Sequence, residues 1–63
     1  MLDNVLIPHD AIQAFADGHE QPKSLGRVQP LFTIKETSRI LGMSTEEVID
    51  LMRAKRLFAV SRP

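Results

Sequence analysis

Basic side chains recur in this chain at positions that suit contacts with phosphate groups. Lys35 and Arg39 are four residues apart, so they share one face if their segment is helical. A second group, Arg53, Lys55 and Arg56, follows further along the chain. Ammonium and guanidinium groups bind the phosphates of a nucleic-acid backbone. The two groups together predict phosphate binding, and the alternative for each residue singly is an exposed, solvated side chain.

Two short helices joined by a tight turn are predicted to carry these cations. Thr33 is followed three residues later by Glu36, and Ser44 by Glu47. Each pair has the spacing of a capping box, which marks the start of a helix. Gly42 ends the first helix, since glycine adopts the left-handed conformation that a short turn needs. The pattern therefore predicts a helix-turn-helix.

The buried faces of these two helices follow from apolar spacing. They are formed by Ile34, Thr37, Ile40 and Leu41 in the first helix and by Val48, Leu51 and Met52 in the second. The second helix runs from Thr45 to about Ala54, and Leu57–Val60 is predicted to be a strand. A helix-turn-helix most often reads DNA, with its second helix in the major groove.

The outward face of the second helix is both the expected reading surface and the main objection to it. That face consists of Thr45, Glu46, Ile49, Asp50 and Arg53. Base edges are usually read by Arg, Lys, Asn or Gln, so only Arg53 is of the usual kind. A carboxylate also accepts a hydrogen bond from cytosine N4, and Glu near a helix start equally serves capping and the helix dipole. Both interpretations of the acidic residues stay open.

The run from Thr33 to Val60 resembles the excisionase family, the small MerR-like helix-turn-helix proteins of phage excisionases and of short bacterial regulators and antitoxins. The resemblance rests on Thr-Ile-Lys-Glu from Thr33, the small pair at Thr37 and Ser38, and Ile-Leu-Gly-Met-Ser from Ile40. It implies a winged-helix-like fold, a recognition helix in the major groove, and a wing that contacts the neighbouring minor groove or backbone.

The chain departs from that family pattern after the second helix. Lys55 stands where the family commonly has glycine, and Phe58 stands where proline is common. The chain ends where the wing would turn, so we expect an incomplete wing with only its first strand, or a piece of a longer protein.

The N-terminal half is predicted to hold one helix and a connector. The helix covers about residues 8–17, with Pro8 in its first turn and Gly18 as its C-terminal cap. Ile12 and Phe15 lie on one face of it and are expected to pack into the core. The connector, residues 19–30, has a short edge strand over residues 23–28 as an option, and the apolar run 5–7 is too short to assign.

The length allows one domain, residues 1–63. The residue patterns predict a mostly α fold, with residues 1–30 as helix and connector and residues 31–60 as helix-turn-helix plus one strand. The resemblance implies that this strand is the first strand of a wing. The formal net charge is zero: residues 1–30 carry four acidic and two basic side chains, and residues 31–63 carry six basic and four acidic ones. The chain has no cysteine, no apolar run of the ~18 residues of a membrane span, and no signal-peptide pattern at its start. We expect a cytoplasmic protein without a membrane partner.

No residue pattern predicts catalysis or a cofactor. The residues that suggest a metal are His9, Asp10, Asp17, His19 and Glu20, and they lie at opposite ends of the predicted helix. A surface cluster explains them better than a shared ion. We therefore expect no enzyme activity, no metal, no cofactor and no small-molecule substrate.

Two hypotheses of function remain. In the first, the chain binds double-stranded DNA as a regulator, recombination directionality factor or antitoxin, as a homodimer or with a protein partner. Its contacts would be Lys35, Arg39, Thr45, Glu46, Ile49, Arg53, Lys55 and Arg56. In the second, the same scaffold is a protein-interaction module with little DNA binding. Its contacts would be Ile12, Phe15, Ile49 and Phe58.

Overall fold

A computed structural model describes residues 4–61 of the chain as three helices and a three-stranded antiparallel sheet. In chain order the elements are β1 (Val5–Pro8), α1 (His9–Asp17), β2 (Leu31–Phe32), α2 (Ile34–Leu41), α3 (Thr45–Arg53) and β3 (Val60–Ser61). The three predicted helices are confirmed. The described residues form a small α/β fold, so the prediction of a mostly α fold with one or two strands gave too little sheet.

The sheet has β1 at its centre, with β2 on one side and β3 on the other. Ile7 is opposite Phe32 in the first pairing, and Leu6 is opposite Val60 in the second. The short run 5–7, which the sequence left unassigned, is therefore the strand that joins the two halves of the chain. The strand after α3 pairs with this first strand of the chain.

Each helix ends in the same local structure. A residue with a left-handed backbone terminates each of the three helices: Gly18 with φ 70°, Gly42 with φ 69° and Lys55 with φ 58°. The amide that follows it donates to a carbonyl five residues back, as in the 2.9 Å bond from Met43 N to Ser38 O. This is the Schellman arrangement, which satisfies the last carbonyls of a helix.

The core is small and lies between the sheet and the helices. Its buried members are Ile7, Ala11, Ile12, Val48 and Leu57, and none is more than 5% exposed. Phe15 is half-buried and packs against this cluster, so the prediction that Ile12 and Phe15 are core residues is confirmed. Thr37 is also fully buried, but its hydroxyl has no hydrogen-bond partner among the described residues.

One predicted core residue of α2 is wrong. Ile40 is 53% exposed, whereas Ser38 is only 7% exposed. The buried or half-buried stripe of α2 consists of residues 34, 37, 38 and 41, each of which is three or four positions from another member, as one helix face requires. With 3.6 residues per turn, Ile40 lies about 60° beyond the edge of that stripe, so its side chain faces solvent although it is more apolar than Ser38.

The predicted strand over residues 57–60 is largely wrong, since only Val60 lies in a strand. Leu57 is 2% exposed and fills the core, and the Phe58 N–H donates to the side-chain oxygen of Gln21 at 2.9 Å. A backbone amide held by a side chain is not available to a neighbouring strand, so pairing begins only at Val60.

The connector forms no strand over residues 23–28. Gly26 has φ 72°, and the Arg27 N–H donates to Leu25 O at 2.8 Å, which closes a tight turn across that glycine. Pro8 is also placed differently from the prediction, because it ends β1 and precedes the first turn of α1.

Candidate nucleic-acid interface

The outward face of α3 is continuous in the structure. A shallow depression of about 290 Å³ is lined by Glu46, Ile49, Asp50 and Arg53. The three charged residues are exposed and Ile49 is half-buried. Thr45, in the first turn of the same helix, is exposed as well. The structure thus brings four of the five residues of the predicted outward face together in one depression, with one cation, two carboxylates and one aliphatic side chain.

The start of α3 explains one of the three acidic residues of that helix. The Ser44 hydroxyl accepts from the Glu47 N–H at 3.2 Å, and the Glu47 carboxylate accepts from the Ser44 N–H at 3.2 Å. Both halves of the capping box are present, so Glu47 has a structural role. Glu46 and Asp50 make no such bond among the described residues, and they alone carry negative charge on the outward face.

The first helix of the pair presents its cations to solvent. Lys35 and Arg39 are both exposed, one turn apart on α2. Glu36, between them in sequence, is held by a second capping box: its carboxylate accepts from the Thr33 N–H at 3.0 Å. The charge of Glu36 is thereby directed toward the helix start, where it is favourable to the helix dipole.

The residues after α3 carry two further exposed cations, Lys55 and Arg56. Their backbone amides are occupied, since Lys55 N donates to Met52 O at 3.1 Å and Arg56 N donates to Leu51 O at 2.8 Å. Only their side chains are therefore available to a ligand.

Ion pairing within residues 4–61 is confined to Asp10. Its carboxylate lies 2.7 Å from the Arg27 guanidinium and 3.7 Å from His9 Nδ1. The hydrogen bonds and charge of Arg27 hold the pKa of Asp10 below its ordinary value, and the same contact raises the pKa of Arg27. The cations of α2, of α3 and of the following turn pair with no described carboxylate.

The residues that suggested a metal do not converge. The two oxygens of Asp10 are taken by Arg27, and an oxygen of Asp17 accepts from Gln13 Nε2 at 2.9 Å. Within the part of the chain that the structure describes, no three His, Asp or Glu side chains group closely enough to hold an ion.

The residues of the alternative, partner-binding hypothesis are dispersed. Ile12 is 5% exposed and belongs to the core, so its side chain does not reach the surface. Phe15 and Phe58 are half-buried against that core, and Ile49 is half-buried on the outward face of α3. Of the four, Ile49 is the one that lies on the surface considered for DNA.

Sequence reasoning missed Gln21, which joins three segments of the chain. Its Nε2 donates to Ala11 O at 3.0 Å, and its Oε1 accepts from the Phe58 N–H at 2.9 Å. A contact across 37 residues has no local sequence signal. The Asp10–Arg27 pair is equally non-local, at 17 residues.

No protein-family model, curated protein or solved structure matches the chain. Among residues 4–61, no helix has both the length and the apolar character that crossing a bilayer would require.

Proposed function

We propose that α2 and α3 form a helix-turn-helix and that this unit binds double-stranded DNA. Three residues, 42–44, separate the two helices, and both helices start with complete capping boxes. The observation that carries the proposal is electrostatic: five exposed cations on and after these helices have no carboxylate partner among the described residues. They are Lys35, Arg39, Arg53, Lys55 and Arg56.

In this proposal the cations divide by role. Helix α2 crosses the phosphate backbone and contributes Lys35 and Arg39, while α3 enters the major groove and directs Arg53 toward base edges. Glu46 accepts from cytosine N4, the base contact that a carboxylate makes. Ile49 packs on a thymine methyl. Because one such unit makes few phosphate contacts, the bound form is a homodimer, and the cellular role is that of a transcriptional regulator, recombination directionality factor or antitoxin.

Salt dependence tests this proposal. If the four cations other than Arg53 contact phosphates, raising the salt from 50 mM to 200 mM weakens binding about 150-fold for each bound chain, from a slope of about −0.9 per contact. Fluorescence anisotropy of a labelled duplex measures both affinities. No binding at micromolar protein in 50 mM salt contradicts the proposal.

A second function is favoured by one observation, the setting of Ile49. This aliphatic side chain lines the same depression as Glu46 and Asp50, whose carboxylates form no ion pair with a described residue. Such a surface also suits a protein partner with basic and apolar groups. Light scattering of the wild type and of Ile49→Glu distinguishes the two. Self-association that the substitution abolishes supports an interaction module, and a monomer that still binds DNA argues against it.

A further inference from the structure

A separate groove of about 340 Å³ lies beside the end of α3. It shares no lining residue with the depression on the outward face of that helix. Its apolar wall is formed by Pro22, Met52, Phe58 and Ala59, and its polar rim by Gln21 and Lys55. No acidic residue lines it. The volume is at the lower end of the range for small-ligand pockets, about 300–1,000 Å³.

Lys55 is held at this rim in a conformation that lysine rarely adopts. It is the one non-glycine residue with positive φ among residues 4–61, and the equivalent positions at the other two helix ends are Gly18 and Gly42. A left-handed lysine is strained by its Cβ, and such strain concentrates at binding and catalytic sites. Lys55 thus lines the groove at a position whose backbone conformation favours glycine.

The rim is matched to a carboxylate. Lys55 makes no ion pair with a described residue. Gln21 is fixed by its bonds to Ala11 O and to the Phe58 N–H, but the Nε2 group carries two N–H donors and the described residues accept from only one. An ammonium group and a held N–H donor therefore border an apolar wall, and charge-assisted bonds to a carboxylate are the strong kind.

We propose that this groove binds a small apolar carboxylate, with the hydrocarbon or aromatic body on Met52 and Phe58 and the negative charge at Lys55 and Gln21. The proposal concerns binding and not turnover. The groove lies apart from the outward face of α3 and shares one residue, Lys55, with the proposed DNA contacts. The test below uses no DNA, so its failure is distinguishable from a failure of the DNA-binding proposal.

Methionine methyl resonances provide the test. Protein labelled with ¹³C at the methionine methyl groups is titrated with octanoate, and with octan-1-ol and octylamine as probes of equal chain length. The chain has three methionines, Met1, Met43 and Met52, so substitution of Met43 and of Met52 by Leu, each in turn, assigns the signals. We expect octanoate to shift the Met52 methyl saturably and to leave Met43, which is not part of the groove, unchanged. An equal response to octan-1-ol or octylamine, or equal shifts at Met43, overturns the proposal.

Two variants complete the test. Lys55→Gly removes the cation and also relieves the backbone strain. Because this variant is expected to stay folded, a loss of octanoate binding reports the loss of the cation. We expect it to weaken octanoate about tenfold, the effect of one charge-assisted hydrogen bond, while raising the melting temperature. Lys23→Ala, an exposed lysine outside the groove, is the matched control and keeps wild-type affinity. Unchanged octanoate affinity in Lys55→Gly, or an equal loss in Lys23→Ala, overturns the proposal.

Discussion

The Glu47 carboxylate accepts hydrogen bonds from both the backbone N–H and the hydroxyl of Ser44, at 3.2 Å each. This relationship divides the acidic residues of α3 into two kinds. Glu47 stabilises the helix start, whereas Glu46 and Asp50 lie on the outward face and take no part in the capping box. The objection that acidic residues raise against DNA binding therefore rests on Glu46 and Asp50, the two carboxylates of the outward face.

The first prediction separates these roles by stability. Glu47→Ala removes half of the capping box, so we expect the free energy of unfolding to fall by about 1 kcal/mol. Glu46→Ala, one residue away in the same turn, is the control and changes it by less than about 0.5 kcal/mol. Urea denaturation measures both. Equal losses in the two variants would mean that the cap does not distinguish them.

The second prediction concerns the left-handed residues at the helix ends. Lys55→Gly relieves a strained backbone, so the free energy of unfolding rises by about 0.5–1 kcal/mol. Gly42→Ala imposes the same strain and lowers it by about 1 kcal/mol, although an added Cβ meets no atom within 4 Å. Opposite changes in thermal melting verify the left-handed conformation. A destabilised Lys55→Gly would contradict it.

The third prediction concerns the buried hydroxyl of Thr37. This group is fully buried without a hydrogen-bond partner, and such a group costs about 1–3 kcal/mol. Thr37→Val replaces the hydroxyl by a methyl group of similar size, so we expect the free energy of unfolding to rise by about 1 kcal/mol. Thr37→Ala leaves a cavity instead and destabilises the fold. Chemical denaturation ranks the three proteins, and a less stable Val variant would show that the hydroxyl has a partner.

The fourth prediction is a pH dependence. Arg27 holds the pKa of Asp10 below its ordinary 3.8, so the unfolded chain takes up this proton before the folded one. The pair therefore stabilises the fold fully above about pH 4, and this contribution is lost as the pH falls through the folded pKa. Melting temperatures of the wild type and of Asp10→Asn should differ at pH 7, and the difference should shrink as the pH falls below the ordinary pKa of Asp10. Arg27→Gln should converge in the same way, and a constant difference would contradict the pairing.

The sequence predicted the helices because their signals are local. A capping box spans three residues and a terminal glycine marks one, so Thr33, Ser44 and Gly42 were sufficient to bound α2 and to start α3. The basic pair of α2 and the outward face of α3 followed from helical periodicity alone.

The sheet and the long-range contacts of Gln21 and of the Asp10–Arg27 pair were not predictable from such local signals. Strands β2 and β3 have two residues each, too few for an alternating pattern, and their register depends on contacts with β1 across the chain. The assignment of Ile40 to the core failed because apolar character was given more weight than position on the helix. The strain at Lys55 has no sequence signal except that a lysine follows the helix where glycine is usual.

The most direct test of DNA binding by α2 and α3 compares two variants of equal net charge. Lys35→Gln with Arg39→Gln removes two cations from α2, and Lys23→Glu removes the same charge from the connector. Anisotropy with a labelled duplex is measured from 50 mM to 200 mM salt. The account predicts that the α2 variant binds at least about tenfold more weakly at 50 mM salt and that its salt slope falls by about 2, with Lys23→Glu close to wild type. Equal losses in both variants, or none in the α2 variant, would contradict it.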